Sequence, residues 1–78
     1  MVEQIDKAIA KVLKDLREER KLSQEQLSFQ TDLHRTYISQ LERGVKSVTV
    51  KTLLKITTAL SIDIDDFIKK AKDESQKL

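Results

Sequence analysis

Arg35, Thr36, Ser39, Gln40 and Arg43 share one side of a helix when residues 34–43 are placed at about 100° intervals. The opposite side gathers Leu33, Ile38 and Leu41, with Tyr37 and His34 beside them. The polar side carries two guanidiniums, short hydroxyls and an amide, and no carboxylate. These groups match base edges in the major groove of duplex DNA. Arginine can pair bidentately with guanine O6 and N7 and glutamine with adenine N6 and N7, while threonine meets a thymine methyl and serine serves several bases. Arg35, Thr36, Ser39 and Gln40 are therefore the base-reading candidates. A merely solvated helix face would mix Glu with Lys.

Phosphate chemistry is suggested just downstream, where Lys46, Ser47, Thr49 and Lys51 surround the expected start of a further helix. Free amides there, two hydroxyls and two ammonium groups make a plausible phosphate clamp. Charge is distributed accordingly. The net charge of the chain is only +2, yet residues 35–60 hold Arg35, Arg43, Lys46, Lys51 and Lys55 against Glu42 alone. Residues 23–34 carry only Glu25 and Asp32, and residues 61–78 set four basic against five acidic groups. The positive field thus sits on and just after the polar helix, where a polyanion would need it.

Two short helices and a tight turn position these groups. Ser23 is a good N-cap and Gln26 stands where a capping box needs it, so a helix starts at Gln24 and runs to about Gln30. Thr31, Asp32 and Leu33 interrupt the pattern, and a second helix runs from about His34 to Arg43. It ends on Gly44, the one glycine of the chain, which suits a left-handed C-terminal cap.

The segment LSQEQLSFQTDLHRTYISQLERG resembles the lambda-repressor-like, or Xre, family of bacterial and phage regulators. Its LHRTYISQLERG portion is similar to restriction-modification controller proteins, and the likeness spans roughly Ile9 to Phe67. The resemblance implies an all-α, compact five-helix fold with the helix-turn-helix at helices 2 and 3. It implies base reading by Arg35, Thr36, Ser39 and Gln40, and backbone or adjacent-base contacts by Tyr37 and Arg43. Gln24 would touch a phosphate while bracing the recognition helix. The family usually has alanine where Ser28 stands, glycine where Asp32 stands, and often Arg-Asn where Lys46 and Ser47 stand. Serine is small enough for the helix contact, and Asp tolerates left-handed backbone better than most residues.

The remaining segments read as scaffold. Ile5, Ile9, Val12, Leu13 and Leu16 mark a first helix over about Ile5 to Arg20. Its solvated face holds Lys7, Lys11, Lys14, Asp15 and Glu18, with Lys14 and Glu18 spaced to pair. Thr49 caps a fourth helix to about Leu60, with Leu53, Leu54, Ile56 and Leu60 apolar; Asp63 caps a fifth, Ile64 to Lys72. A single domain over residues 1–72 with a frayed tail at 73–78 is expected. Ile62, Ile64, Phe67 and Ile68 are the candidate dimer surface. Core closure explains Phe67 more readily, whereas Ile64 and Ile68, one turn apart, suit a stripe that pairs with its own copy.

Other chemistries lack their residues. With no cysteine there is no disulfide or thiolate metal site, and the lone His34 has no nucleophile to serve. Asp63, Asp65 and Asp66 lack the glycine and distant glutamate of a calcium loop. The reading is therefore a non-enzymatic protein without cofactor or metal. No apolar run spans a bilayer and the N-terminus has no signal-peptide pattern, so a cytoplasmic, nucleoid-associated, membrane-free protein is expected. The expected function is that of a homodimeric transcriptional regulator on an approximately palindromic operator at its own promoter, helping or blocking RNA polymerase. A phage-type repressor or antitoxin-like autoregulator is the alternative within DNA binding; a helical interaction module without DNA is the alternative outside it.

Overall fold

The computed structural model describes the backbone of residues 2–77 and the side chains of residues 4–77, and all regular structure among them is helical. The helices are α1 (Val2–Glu19), α2 (Gln24–Thr31), α3 (Arg35–Glu42), α4 (Val50–Ala59) and α5 (Ile64–Ser75). The expected all-α, five-helix class holds. Helix α5 continues three residues past its expected end at Lys72, correcting the frayed tail as far as Ser75; Leu78 lies outside the described residues. The extension has a cause: Ala71 is buried, and Glu74 turns toward Lys11 of α1 at 3.8 Å.

Local chemistry sets the boundaries. The Ser23 hydroxyl accepts from the Gln26 amide at 3.0 Å, and the Gln26 side chain accepts from the Ser23 amide at 2.7 Å, so both arms of the capping box exist. Thr49 caps α4 through the Thr52 amide at 3.1 Å. His34 and Asp63 occupy N-cap positions without a side-chain cap hydrogen bond, contrary to the capping expected of Asp63. At the end of α3, Gly44 adopts φ +72°, with its amide bonded to Leu41 O and that of Val45 to Gln40 O. This is a Schellman cap. The same pair of bonds ends α1 at Lys21 and α4 at Ser61, both left-handed without being glycine.

The core is formed by Ala8, Leu13 and Leu16 of α1, Leu27 of α2, Ile38 and Leu41 of α3, Leu53, Ile56 and Leu60 at α4, and Phe67 and Ala71 of α5. Helix α1 is the central element, packed on α5 and α3, while α2 packs on α3 and α4. Phe67 is fully buried within the single chain, which removes it from the candidate dimer surface: its ring fills the space where α5 closes on the core. Arg20 donates to the Leu60 carbonyl and ties the end of α1 to the end of α4. The helix pair expected between Lys14 and Glu18 is replaced, among the described residues, by Lys11 and Asp15 at 2.7 Å.

Candidate nucleic-acid interface

Helix α3 presents its faces as its sequence pattern requires. Ile38 and Leu41 are buried, Arg35 and Thr36 are exposed, and Tyr37, Ser39 and Gln40 are half-buried. Arg35, Thr36 and Ser39 line a shallow depression together with Gln24 from the first turn of α2. The structure thus brings three of the four base-reading candidates together with Gln24. Gln40 lies outside that depression, on the next turn of the same helix. Arg43 is exposed, and its Nε reaches the Ser39 carbonyl at 3.4 Å.

Sequence reasoning missed the group that holds α3 in place. Glu42, counted only as a charge, receives Arg17 of α1 in a two-pronged ion pair, Nε to Oε2 at 2.6 Å and Nη2 to Oε1 at 2.9 Å. The remaining Arg17 nitrogen donates to the Leu22 carbonyl at 2.6 Å. Gln24 Nε2 donates to Glu42 Oε1 at 3.1 Å, so the bracing expected of Gln24 is made through Glu42. Both charged side chains are almost fully covered, and the hydrogen bond to Glu42 holds the Arg17 guanidinium more basic than usual. The planar fork of arginine satisfies the carboxylate in one plane, a geometry that lysine cannot provide. One carboxylate therefore joins α1, α2 and α3. A signal for this existed: Arg17 falls four residues after Leu13, on the inward face of α1, where an unpaired charge would not be tolerated.

The loop from Val45 to Thr49 carries the phosphate candidates. Lys46, Ser47, Thr49 and Lys51 are all exposed. The two hydroxyls, however, are already engaged. Thr49 donates to Thr52 Oγ1 at 3.0 Å while capping the helix, and Ser47 donates to Asp6 Oδ2 of α1 at 2.9 Å. What remains unengaged among the described residues is the pair of ammonium groups and the amides of Val50 and Lys51, which have no carbonyl one turn back to bond. Ile62, just before α5, and Ile64 at its start are half-buried, and Ile68 of α5 is 45% exposed. No group of residues suited to a metal ion occurs among the described residues. No described helix is long and apolar enough to cross a membrane.

Residues 13–67 match the family model described as helix-turn-helix. The chain is 47% identical over 47 residues to the control protein C.BamHI of Bacillus amyloliquefaciens, a match covering 60% of this chain and 58% of that protein. It is 40% identical over 63 residues to the control protein C.MunI of a Mycoplasma species, covering 80% and 85% of the two chains. Among solved structures, it superimposes with a TM-score of 0.83 on the restriction-modification controller protein C.Esp1396I, solved as a tetramer in complex with its natural 35 base-pair operator. That likeness is at 30% identity and covers 92% of this chain and 95% of the other.

Proposed function

The chain belongs to the helix-turn-helix family, among the control proteins of restriction-modification systems, and from that premise we propose that it is a dimeric, sequence-specific DNA-binding transcriptional regulator acting at its own promoter. The observation that carries this reading is the exposed face of α3, cation-rich and free of carboxylates, held rigidly by the Arg17, Gln24 and Glu42 network. Arg35, Thr36, Ser39 and Gln40 read base edges; Gln24, Tyr37, Arg43, Lys46 and Lys51, with the amides at the start of α4, hold phosphates.

Two copies related by a two-fold axis through α5, meeting at Ile64 and Ile68 with Ile62 at the margin, would put two α3 helices into successive major grooves about 34 Å apart. A domain with extents of 31 × 23 × 22 Å is of the right width for that spacing. Occupancy beside the promoter would then help or block RNA polymerase. Carried over from its relatives, the chemistry is recognition rather than catalysis. The reading is tested by footprinting on the DNA upstream of its own reading frame. Protection of two half-sites about one helical turn apart is expected, and uniform or absent protection would overturn it.

A further inference from the structure

Asp6 belongs to α1, which packs against the recognition helix, and its carboxylate accepts the Ser47 hydroxyl proton at 2.9 Å. Helix α1 runs directly under the loop: a Cβ built on Gly44 would lie 3.4 Å from Lys7 Cγ and 3.5 Å from Lys7 Cα. A serine hydroxyl has a single proton. While it is donated to Asp6 it cannot be donated to a phosphate oxygen, and the Thr49 proton is committed to Thr52 in the same way. The loop therefore reaches DNA with a carboxylate already seated where an anion would bind.

We propose that Asp6 is an intramolecular competitor for the DNA phosphate, holding the Ser47 hydroxyl in the free chain and restraining affinity for all DNA alike. This rests on the reading that the Val45–Thr49 loop faces the backbone. On binding, the Ser47 proton rotates from the Asp6 carboxylate to a phosphate oxygen, and no covalent bond changes. Asp6 then stands as a negative charge one hydroxyl away from the phosphate. Because backbone contacts position the protein without reading sequence, the restraint acts equally on operator and random duplex.

The test measures binding of Asp6→Asn and Asp6→Ala to the protein's own upstream duplex and to a random duplex. Both variants are compared with the unaltered chain and with Ser47→Ala, and helix content is followed by circular dichroism. Asn keeps an acceptor and removes the charge; Ala removes both. Tightening of about 3- to 10-fold on both duplexes is expected, greater for Ala than for Asn. In the Ser47→Ala background the gain from Asp6→Ala should shrink, since only the charge is left to remove. Fully helical variants that bind no tighter, or more weakly, overturn the proposal and make the bond a latch that orders the loop. A gain undiminished in the Ser47→Ala background also overturns it, because the hydroxyl is then not contested. An unaltered chain that binds neither duplex overturns the DNA reading itself, and this inference with it.

Discussion

The two halves of the candidate interface are fastened in opposite ways. Helix α3 is held by a covered ion pair and a glutamine hydrogen bond whose three participants come from three helices, whereas the loop after it is anchored by half-buried Val48 and by exposed hydroxyl contacts, and its lysine is exposed. Base reading is geometrically demanding, because a bidentate contact fails when the helix shifts by a fraction of its hydrogen-bond length. Phosphate attraction is forgiving, since it depends on charge and falls gradually with distance. On the proposed function, the rigid half reads sequence and the adjustable half adds charge that tolerates movement.

The largest expected effect comes from breaking the rigid half. Arg17→Ala leaves Glu42 covered with Gln24 as its one remaining partner, and should cost about 3–5 kcal/mol, read as a lowered urea midpoint. Replacing both partners together, as Arg17→Met with Glu42→Leu, should recover much of that loss, because no charge is then stranded. A single variant within about 1 kcal/mol of the parent would show the pair to be solvated and the contrast between the two halves to be unreal.

Next in size is the proposed dimer, which must hold the two rigid halves at a fixed spacing. Ile68→Asp should place like charges opposite each other across α5 and cost several kcal/mol of association while the exposed position leaves the monomer folded. Sedimentation should show a helical monomer with weak operator affinity. An unchanged dimer would move the contact to another face, and an unfolded chain would make Ile68 part of the core.

Within the rigid half, Arg35→Ala should lower operator affinity by about 1–3 kcal/mol and relax preference at one base position, with little change on random DNA. A binding-site selection that returns the parent's preference would remove Arg35 from the reading set. In the adjustable half the signature is different. Lys46→Ala or Lys51→Ala should weaken binding to every sequence and lower the slope of log K against log salt by about 1 each. If the lysine variants altered sequence preference instead, the division between the halves would fail.

How much of this was legible in the sequence divides along the same line. Both arms of the Ser23 capping box, the Thr49 cap, the Gly44 terminus and the polar face of α3 are local signals, fixed by residues within a few positions of one another, and all were readable. The Arg17 and Glu42 pair spans 25 positions and two helices, so periodicity within α1 flags Arg17 as needing a partner but cannot say which residue that partner is. Ser47 reads from sequence as a hydroxyl near a helix start, but its commitment to Asp6, 41 positions away, is a matter of packing. Phe67 failed as an interface residue for a related reason: an apolar residue on a terminal helix reads identically whether the core or a second copy covers it, and only the burial decides.

The smallest effect tests how far the rigid half depends on its own turn. Asp32 lies between α2 and α3 at φ +59°, where an L residue other than glycine pays a steric cost, and its exposed side chain has no hydrogen-bond partner among the described residues. Asp32→Gly removes that cost but also frees the unfolded chain, which offsets part of the gain, and it takes a negative charge from near the amino end of α3. The first term should win by a narrow margin, giving about 0.5 kcal/mol of added stability with operator affinity unchanged. Ser61→Gly, at φ +55° after α4, is the matched control, because it makes the same backbone change with no charge and far from α3. If Ser61→Gly stabilises while Asp32→Gly does not, the difference measures the attraction between the Asp32 carboxylate and the α3 amides. The brace from Arg17 would then share its work with the turn.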